Sequence, residues 1–305
     1  MKYLGKIKVF IKSHKQLYKR IRPIELKYYA FQDFRHRIAG GVRMIVPFII
    51  KPRIRRITGR KETRDLLKLR NIHQGKRIFV IANGPSIQVS DLLKLKNEIT
   101  ISVNGAVTLA DTIGWKSTYY LFGDLGSWLG YEDKINNTKY EGIFLSLQCA
   151  ARKYESEFLF KPYYIDLYWR FKDIVTYYLL GKNIKEMEFS DDIYLKGAYA
   201  AGRSGVTVAV QLAVYMGARE IYLLGQDCDF KGPARHFYDE PDDSIVPNAR
   251  DVERWQERWQ PCIFAFYRAA RLYCEQHQIK LYNATRGGCL EELERVDFDK
   301  IIGNS

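Results

Sequence analysis

Short apolar runs and polar turns alternate through most of the chain. Residues 77 to 82 (RIFVIA), 98 to 103 (EITISV), 117 to 122 (STYYLF), 142 to 147 (GIFLSL), 220 to 224 (EIYLL) and 279 to 283 (IKLYN) are rich in branched or aromatic side chains. Runs of that length, bounded by Gly, Asn, Pro or Asp, predict strands buried on both faces. Between them lie stretches of helical character: 86 to 95, 108 to 112, the continuous apolar segment 206 to 216, and an aromatic segment from 255 to 277. This alternation predicts right-handed βαβ units and a Rossmann-like α/β fold, with a mainly parallel sheet and helices on both faces. Ligands of such sheets sit beyond the carboxyl ends of the strands. Topology therefore gathers Asn83, Gly84, Ser86, Asn104, Asp124 and Asp227 on one rim.

Two regions depart from the alternation. Along residues 3 to 21, Tyr3, Ile7, Phe10, Leu17 and Ile21 recur at helical spacing, with Lys2, Lys6, Lys8, Lys12, Lys15 and Lys19 around the wheel, until Pro23, which predicts a basic amphipathic helix. A second basic patch, Lys51, Arg53, Arg55, Arg56, Arg60 and Lys61, follows the apolar run 44 to 50. That run is interrupted by Pro47 and falls far short of the roughly 20 residues of a spanning helix, and the start MKYLGKIKVF lacks a signal-peptide apolar region. No transmembrane helix is predicted. Residues 150 to 195 are tyrosine-rich without clean periodicity, and suit a lid, an acceptor-binding insertion or a plain surface excursion. The expected organisation is a basic arm over 1–70 and a catalytic domain over 71–305.

Charge separates the same two parts. Residues 1 to 70 hold 21 Lys and Arg against 4 Asp and Glu, whereas the remaining residues hold 28 against 31. The arm suits attachment to an anionic membrane surface, where each cation contributes on the order of 1 kcal/mol. It equally suits docking on the body or on a second subunit with its lysines solvated. Nucleic acid is disfavoured, since the body is slightly acidic and shows no helix-turn-helix, RNA-binding or zinc-finger pattern. The five cysteines, Cys149, Cys228, Cys262, Cys274 and Cys289, are odd in number and lack a CxxC pair, so neither a disulfide framework nor a zinc site is predicted. A cytoplasmic location, peripheral on the inner face of the plasma membrane, fits these features.

The candidate chemistry lies in the turns. Asn83-Gly84-Pro85-Ser86 offers an amide, a hydroxyl and N–H groups suited to a phosphate or nucleotide, or else a Ser that caps the next helix. It is neither GxGxxG nor a P-loop, which counts against dinucleotide redox and ordinary ATPase chemistry. Ser204-Gly205 repeats the arrangement before the apolar helix, and Arg203 adds a cation for a phosphate or carboxylate; the plain alternative is a capping Ser beside a surface Arg. His236 sits in an acidic loop with Asp227, Asp229, Asp239 and Glu240, and is the best general-base candidate, with Asp227 and Asp239 as companions. Asp227 also suits a ribose hydroxyl, a Mg²⁺ ion or a cap on the following turn. No cluster has the ligand density of a dedicated metal site, so no cofactor is required, with Mg²⁺ possible.

With IANGPS, SVNGA, RSGVTVAVQLAVYMGAREIYLLGQD and IKLYN in that order, the chain resembles the small bacterial sialyltransferases that use CMP-sialic acid. The RHFYDE loop, with ISVNGA and FGD at strand ends, is closer still to the lipopolysaccharide core proteins that add an extra Kdo residue. The same turns, with LLGQD and a following His, also resemble MptE-like 6-hydroxymethylpterin diphosphokinases. The resemblance covers about residues 76 to 290. It implies a glycosyltransferase that moves a Kdo-like or sialic-acid-like 2-keto sugar acid from its CMP ester to a lipid-linked glycan. Asn83, Ser86 and Asn104 would contact the nucleotide, and Ser204 and Gly205 would lie against the phosphate or the sugar carboxylate. The alternative it implies is a Mg-ATP-dependent pterin diphosphokinase. Where the sialyltransferases place a catalytic His before the last helix, this chain has Trp259-Gln260-Pro261, and near the position of their Tyr it has Asp229.

Overall fold

The computed structural model describes residues 35–58, 61–123, 131, 134–135, 142–147, 161–229, 236–237 and 256–303. Its strands are β1 (Arg77–Ile81), β2 (Ile99–Val103), β3 (Tyr119–Phe122), β4 (Ile143–Ser146), β5 (Tyr163–Ile165), β6 (Leu167–Tyr168), β7 (Ala198–Tyr199), β8 (Glu220–Leu224) and β9 (Lys280–Asn283). Seven of them form one sheet in the order β5-β4-β3-β2-β1-β8-β9, every neighbouring pair parallel, and β6 pairs with β7 separately. All six apolar runs are strands, as the pattern predicts. The chain steps outward from β1 to β5, then returns to lay β8 on the other side of β1. That reversal opens a crevice between β1 and β8 at their carboxyl ends.

Among the described residues the helices beside the strands include α1 (35–58), α2 (Val89–Lys94), α3 (Leu109–Ile113), α4 (Phe171–Ile174, continued by a π turn over Val175–Leu179), α5 (Gly205–Tyr215), α6 (Gln260–Gln276) and α7 (Phe298–Gly303). Alternate strand residues face opposite layers. Ile78, Val80, Ile101, Val103, Ile221 and Leu223 pack with α5 and α6, while Phe79, Ile81, Tyr120, Phe122, Tyr222 and Leu224 pack with Leu92, Leu109 and Phe298. The sheet is thus covered on both sides, which is why its strands read as continuous apolar runs. Helix α5 is buried from Val206 to Tyr215, in keeping with its unbroken apolar sequence. Pro261 sits in the first turn of α6, where the N–H it lacks would have no intrahelical partner.

The local elements add detail to the sequence pattern in three places. The helix expected over 86–95 begins only at Val89, with Gln88 at its cap, so Ser86 caps nothing. The carboxylate of Asp227 takes the Ser86 hydroxyl instead and holds it in the turn. The helix expected over 108–112 is preceded by a 3-10 turn, Asn104–Thr108. Residues 163–165 add an edge strand to the main sheet, and Ile165, Ile174 and Ile193 are buried in the layer that holds α5.

The expected helix over 3–21 lies outside the described residues. Helix α1 follows it in sequence and packs one side on the body. Arg55 pairs with the buried carboxylate of Asp166 at 2.5 Å, Trp169 donates its backbone N–H to the Phe48 carbonyl, and Gly40 and Gly41 lie against Tyr178. A π turn, Val46–Ile50, interrupts α1 at Pro47. Among the described residues no helix is long and apolar enough to cross a membrane.

Candidate active site

The turn after β1 is built by close backbone contact. The Ala82 N–H donates to the Leu224 carbonyl and the Gly84 N–H to the Gly225 carbonyl, so the chain ends of β1 and β8 run side by side past the sheet. A Cβ at Gly84 would fall 1.6 Å from Asp227 Oδ2 and 2.4 Å from the Gly225 carbonyl oxygen. Only glycine fits there. Asp227 is 7% exposed, and its Oδ2 accepts the Ser86 hydroxyl at 2.9 Å and the Ser86 N–H at 3.4 Å. Burial raises the Asp227 carboxyl above the usual carboxylate range, and the two Ser86 bonds offset part of that rise.

Beyond these turns the crevice opens into a cavity of about 320 Å³. Asn83, Gly84 and Pro85 line it from β1, Asn104 from β2, Arg203, Ser204 and Gly205 from the start of α5, and Gln226, Asp227, Cys228 and Asp229 from β8. His236 closes one side, and Trp259 and Ile263 close another from the beginning of α6. The Phe237 N–H donates to the Asn83 carbonyl at 3.1 Å and fastens the 236–237 segment to the turn after β1.

The carbonyl oxygens of the Asn83 and Asn104 side chains are buried and accept no hydrogen bond among the described residues. A buried acceptor without a donor costs about 1 to 3 kcal/mol, so two at the head of one crevice call for donors from outside the chain. Backbone strain collects here as well. Asn104, Arg203 and Cys228 all line the cavity with positive φ, at 47°, 58° and 53°. Such conformations persist in non-glycine residues where their surroundings impose them, and they cluster at ligand sites.

Helix α5 points its first turn at the cavity. Ser204 caps it: the Ser204 Oγ accepts the Val206 N–H at 3.3 Å, and the Ser204 carbonyl accepts the Thr207 hydroxyl at 2.6 Å. The capping reading of Ser204 therefore holds, and Arg203 is half-buried with its guanidinium held among aromatic rings. Its guanidinium lies 4.9 Å from the ring centroids of both Tyr177 and Trp259 and 6.0 Å from that of Trp169, and donates to the Tyr178 hydroxyl at 3.0 Å. Its Nε is buried without an acceptor. The aromatic cage holds the cation at the cavity wall.

The structure thus brings Asn83, Gly84, Asn104, Arg203, Ser204, Gly205, Asp227 and His236 to one cavity. Ser86 stands behind the wall, clasped to Asp227, and is not a lining residue. Asp124 and Asp239 lie outside the described residues. The chemistry-bearing residues that the sequence reading passed over as site residues are Trp259, Gln226 and Cys228. Trp259 stands in the sequence where the sialyltransferases place a catalytic His, and as a large aromatic before a proline-started helix it is given no role of its own. Gln226 is fixed by its neighbours: its N–H donates to the Thr285 hydroxyl and its side-chain amide to Cys228 Sγ. Burial pushes the Cys228 thiol up to about 12, which keeps it protonated and unfit as a nucleophile near neutral pH. Among the described residues no three His, Cys, Asp or Glu side chains are grouped to hold a cation, and Asp227 spends one oxygen on Ser86.

No protein-family model matches the chain, and no curated protein matches its sequence. Among solved structures, the sialyltransferase CstII from Campylobacter jejuni, in complex with the substrate analogue cytidine-5'-monophosphate, is similar over 73% of this chain and 85% of its own. Its TM-score is 0.43 and its identity 13%. The C-domain of a bacterial malonyl-CoA reductase with NADP is similar over 77% of this chain and 31% of its own, with a TM-score of 0.25 and 9% identity. At this level of likeness the chemistry rests on the residues of the cavity itself.

Proposed function

We propose that the cavity binds a CMP-activated 2-keto sugar acid, Kdo-like or sialic-acid-like, and that the protein transfers the sugar to a lipid-linked glycan. The observation that carries this reading is the pair of buried, unsatisfied Asn83 and Asn104 carbonyls beside the first turn of α5. Amide acceptors suit the hydroxyl and amino donors of a nucleoside. The start of α5 suits its phosphate, because the aligned peptide dipoles favour negative charge there. The motif order IANGPS, SVNGA, RSG and LLGQD supports cytidine as the nucleoside.

In the proposed reaction the acceptor oxygen bonds to the anomeric carbon of the sugar as the bond from that carbon to the phosphate oxygen breaks. The electron pair leaves with CMP, and the acceptor proton passes to His236. Negative charge grows on the departing phosphate in the transition state, so the start of α5 and the caged Arg203 stabilise that state more than the ground state. Asp227 stays with Ser86 and keeps the Asn83 turn in place. A thermal-shift panel of CMP, CDP, UMP, ATP and GTP, each with and without Mg²⁺, tests the reading. CMP alone is expected to raise the melting temperature, since a ligand that binds only the folded state stabilises it. A shift confined to ATP with Mg²⁺ overturns the reading in favour of the diphosphokinase.

A further inference from the structure

Helix α1 leaves one side uncovered. Ile38, Val42, Val46, Ile50, Ile54 and Ile57 form an aliphatic row whose exposure reaches 58% at Val42 and 85% at Ile57. The first five recur every four residues, a step that would rotate the row by about 40° each time on a regular α-helix. The π turn over Val46–Ile50 widens the helix in the middle of that row and sets it back, so the row keeps to one side. The other side is already committed: Gly41, Ile49 and Pro52 are buried, and Arg55 is paired with Asp166. The orientation of α1 on the body is therefore fixed, with the aliphatic row outward.

Charge identifies what covers the row. Residues 35 to 58 contain seven Lys and Arg and no Asp or Glu. Arg35, Arg43, Lys51 and Arg53 are exposed. A second copy in a two-fold pair would set this acid-free helix against itself and bring like charges together. A nucleic acid would satisfy the cations and leave six aliphatic side chains in water. An anionic lipid surface takes both, the aliphatic groups at the acyl boundary and the cations among the headgroup phosphates. We propose that the exposed face of α1 is the membrane-docking surface of this protein. The inference rests on the glycosyltransferase reading only for the purpose of docking, which is to meet a lipid-linked acceptor. Tyr178 joins the two regions, since it packs on Gly40 and Gly41 and accepts a hydrogen bond from Arg203 at the cavity wall.

The test is co-sedimentation of the full chain with vesicles of phosphatidylcholine alone and of phosphatidylcholine mixed with phosphatidylglycerol. Strong partitioning is expected only on the mixed vesicles and should weaken as salt is added. The triple variant Val42→Asn, Ile54→Asn, Ile57→Asn should lose at least about tenfold in partitioning, from the aliphatic area it no longer buries. A second variant, Arg43→Gln, Lys51→Gln, Arg53→Gln, should lose as much, since each cation near the surface is worth about fivefold, and its salt dependence should flatten. If the first variant melts early, the second decides. Unchanged partitioning of both variants, or equal binding to neutral vesicles, overturns the proposal. So does a concentration-dependent dimer that the aliphatic substitutions abolish. The CMP-induced thermal shift, read on the same samples, keeps the two readings apart. Its absence from the wild type would sink the transferase reading and leave the vesicle result standing.

Discussion

Two serine turns face the crevice and do different work. Asn83-Gly84-Pro85-Ser86 follows β1 and Arg203-Ser204-Gly205 precedes α5, and in sequence both look like anion cradles at a helix start. Only the second stands at a helix start. Ser204 caps an eleven-residue helix, whereas the helix after Ser86 begins three residues later and is six residues long. Ser86 gives its hydroxyl to Asp227, and the turn contributes to the cavity through the unsatisfied Asn83 carbonyl. One turn supplies a dipole and the other an acceptor held in place by a buried clasp. A serine before a helix therefore says little until its hydroxyl is traced to a partner.

The largest effect that would break this contrast is expected at the two glycines. Gly84→Ala places a Cβ against the Asp227 carboxylate and the Gly225 carbonyl, backbone that cannot move aside without parting β1 from β8. A loss of about 3 kcal/mol or more, or failure to fold, is expected in urea denaturation. At Gly205 the added Cβ would meet only Val103 at 3.6 Å, an ordinary contact. Gly205→Ala should stay within about 0.5 kcal/mol of wild type or gain slightly, because alanine favours the helix. Equal losses at the two positions would mean that both turns are closed clasps.

The serines come next. Ser86→Ala takes the hydroxyl donor from the Asp227 carboxylate and leaves the long Ser86 N–H bond, at an expected cost of about 1 to 3 kcal/mol. That cost should depend on pH. A carboxyl whose pKa is raised on folding holds more protons folded than unfolded, so stability falls as pH climbs from the unfolded value near about 3.9 through the folded one. Without Ser86 the folded value rises further, and the penalty of Ser86→Ala should be larger at neutral pH than at pH about 4. Urea midpoints at the two pH values check it, and a pH-independent loss would remove the clasp from the account. Ser204→Ala removes only a cap and should cost about 1 kcal/mol at either pH.

The same contrast explains what was legible in the sequence. The six apolar runs announce the sheet because helices cover both its faces, and the rim rule then places Asn83, Asn104 and Asp227 together. β5, β6 and β7 escape notice because they are two or three residues long in a tyrosine-rich stretch and owe their pairing to neighbours. Trp259 and Ile263 reach the cavity from a helix start, where no strand-end rule points. The Ser86–Asp227 clasp joins residues 141 apart in sequence, and local pattern offered a nearer and wrong partner for Ser86, the next helix. Arg203 reads as a surface cation because the rings that cage it, Trp169, Tyr177 and Trp259, are contributed by distant segments.

A small expected change in stability carries the sharpest distinction. Asn104 has φ of 47° and a buried amide carbonyl without a donor, two features that cost the folded protein something. Asn104→Gly removes both, because glycine adopts that backbone freely, and what it adds is unfolded-state entropy worth about 0.5 to 1 kcal/mol. Stability is therefore expected to stay within about 1 kcal/mol of wild type, on either side. Affinity should move the other way. If the carbonyl accepts a hydrogen bond from the bound nucleotide, its loss should weaken CMP binding about tenfold, read by calorimetry. A variant that loses stability and binds CMP as before would make Asn104 a turn residue only. The crevice would then hold one unsatisfied acceptor, at Asn83, and the argument for a nucleoside between β1 and β2 would lose half its support.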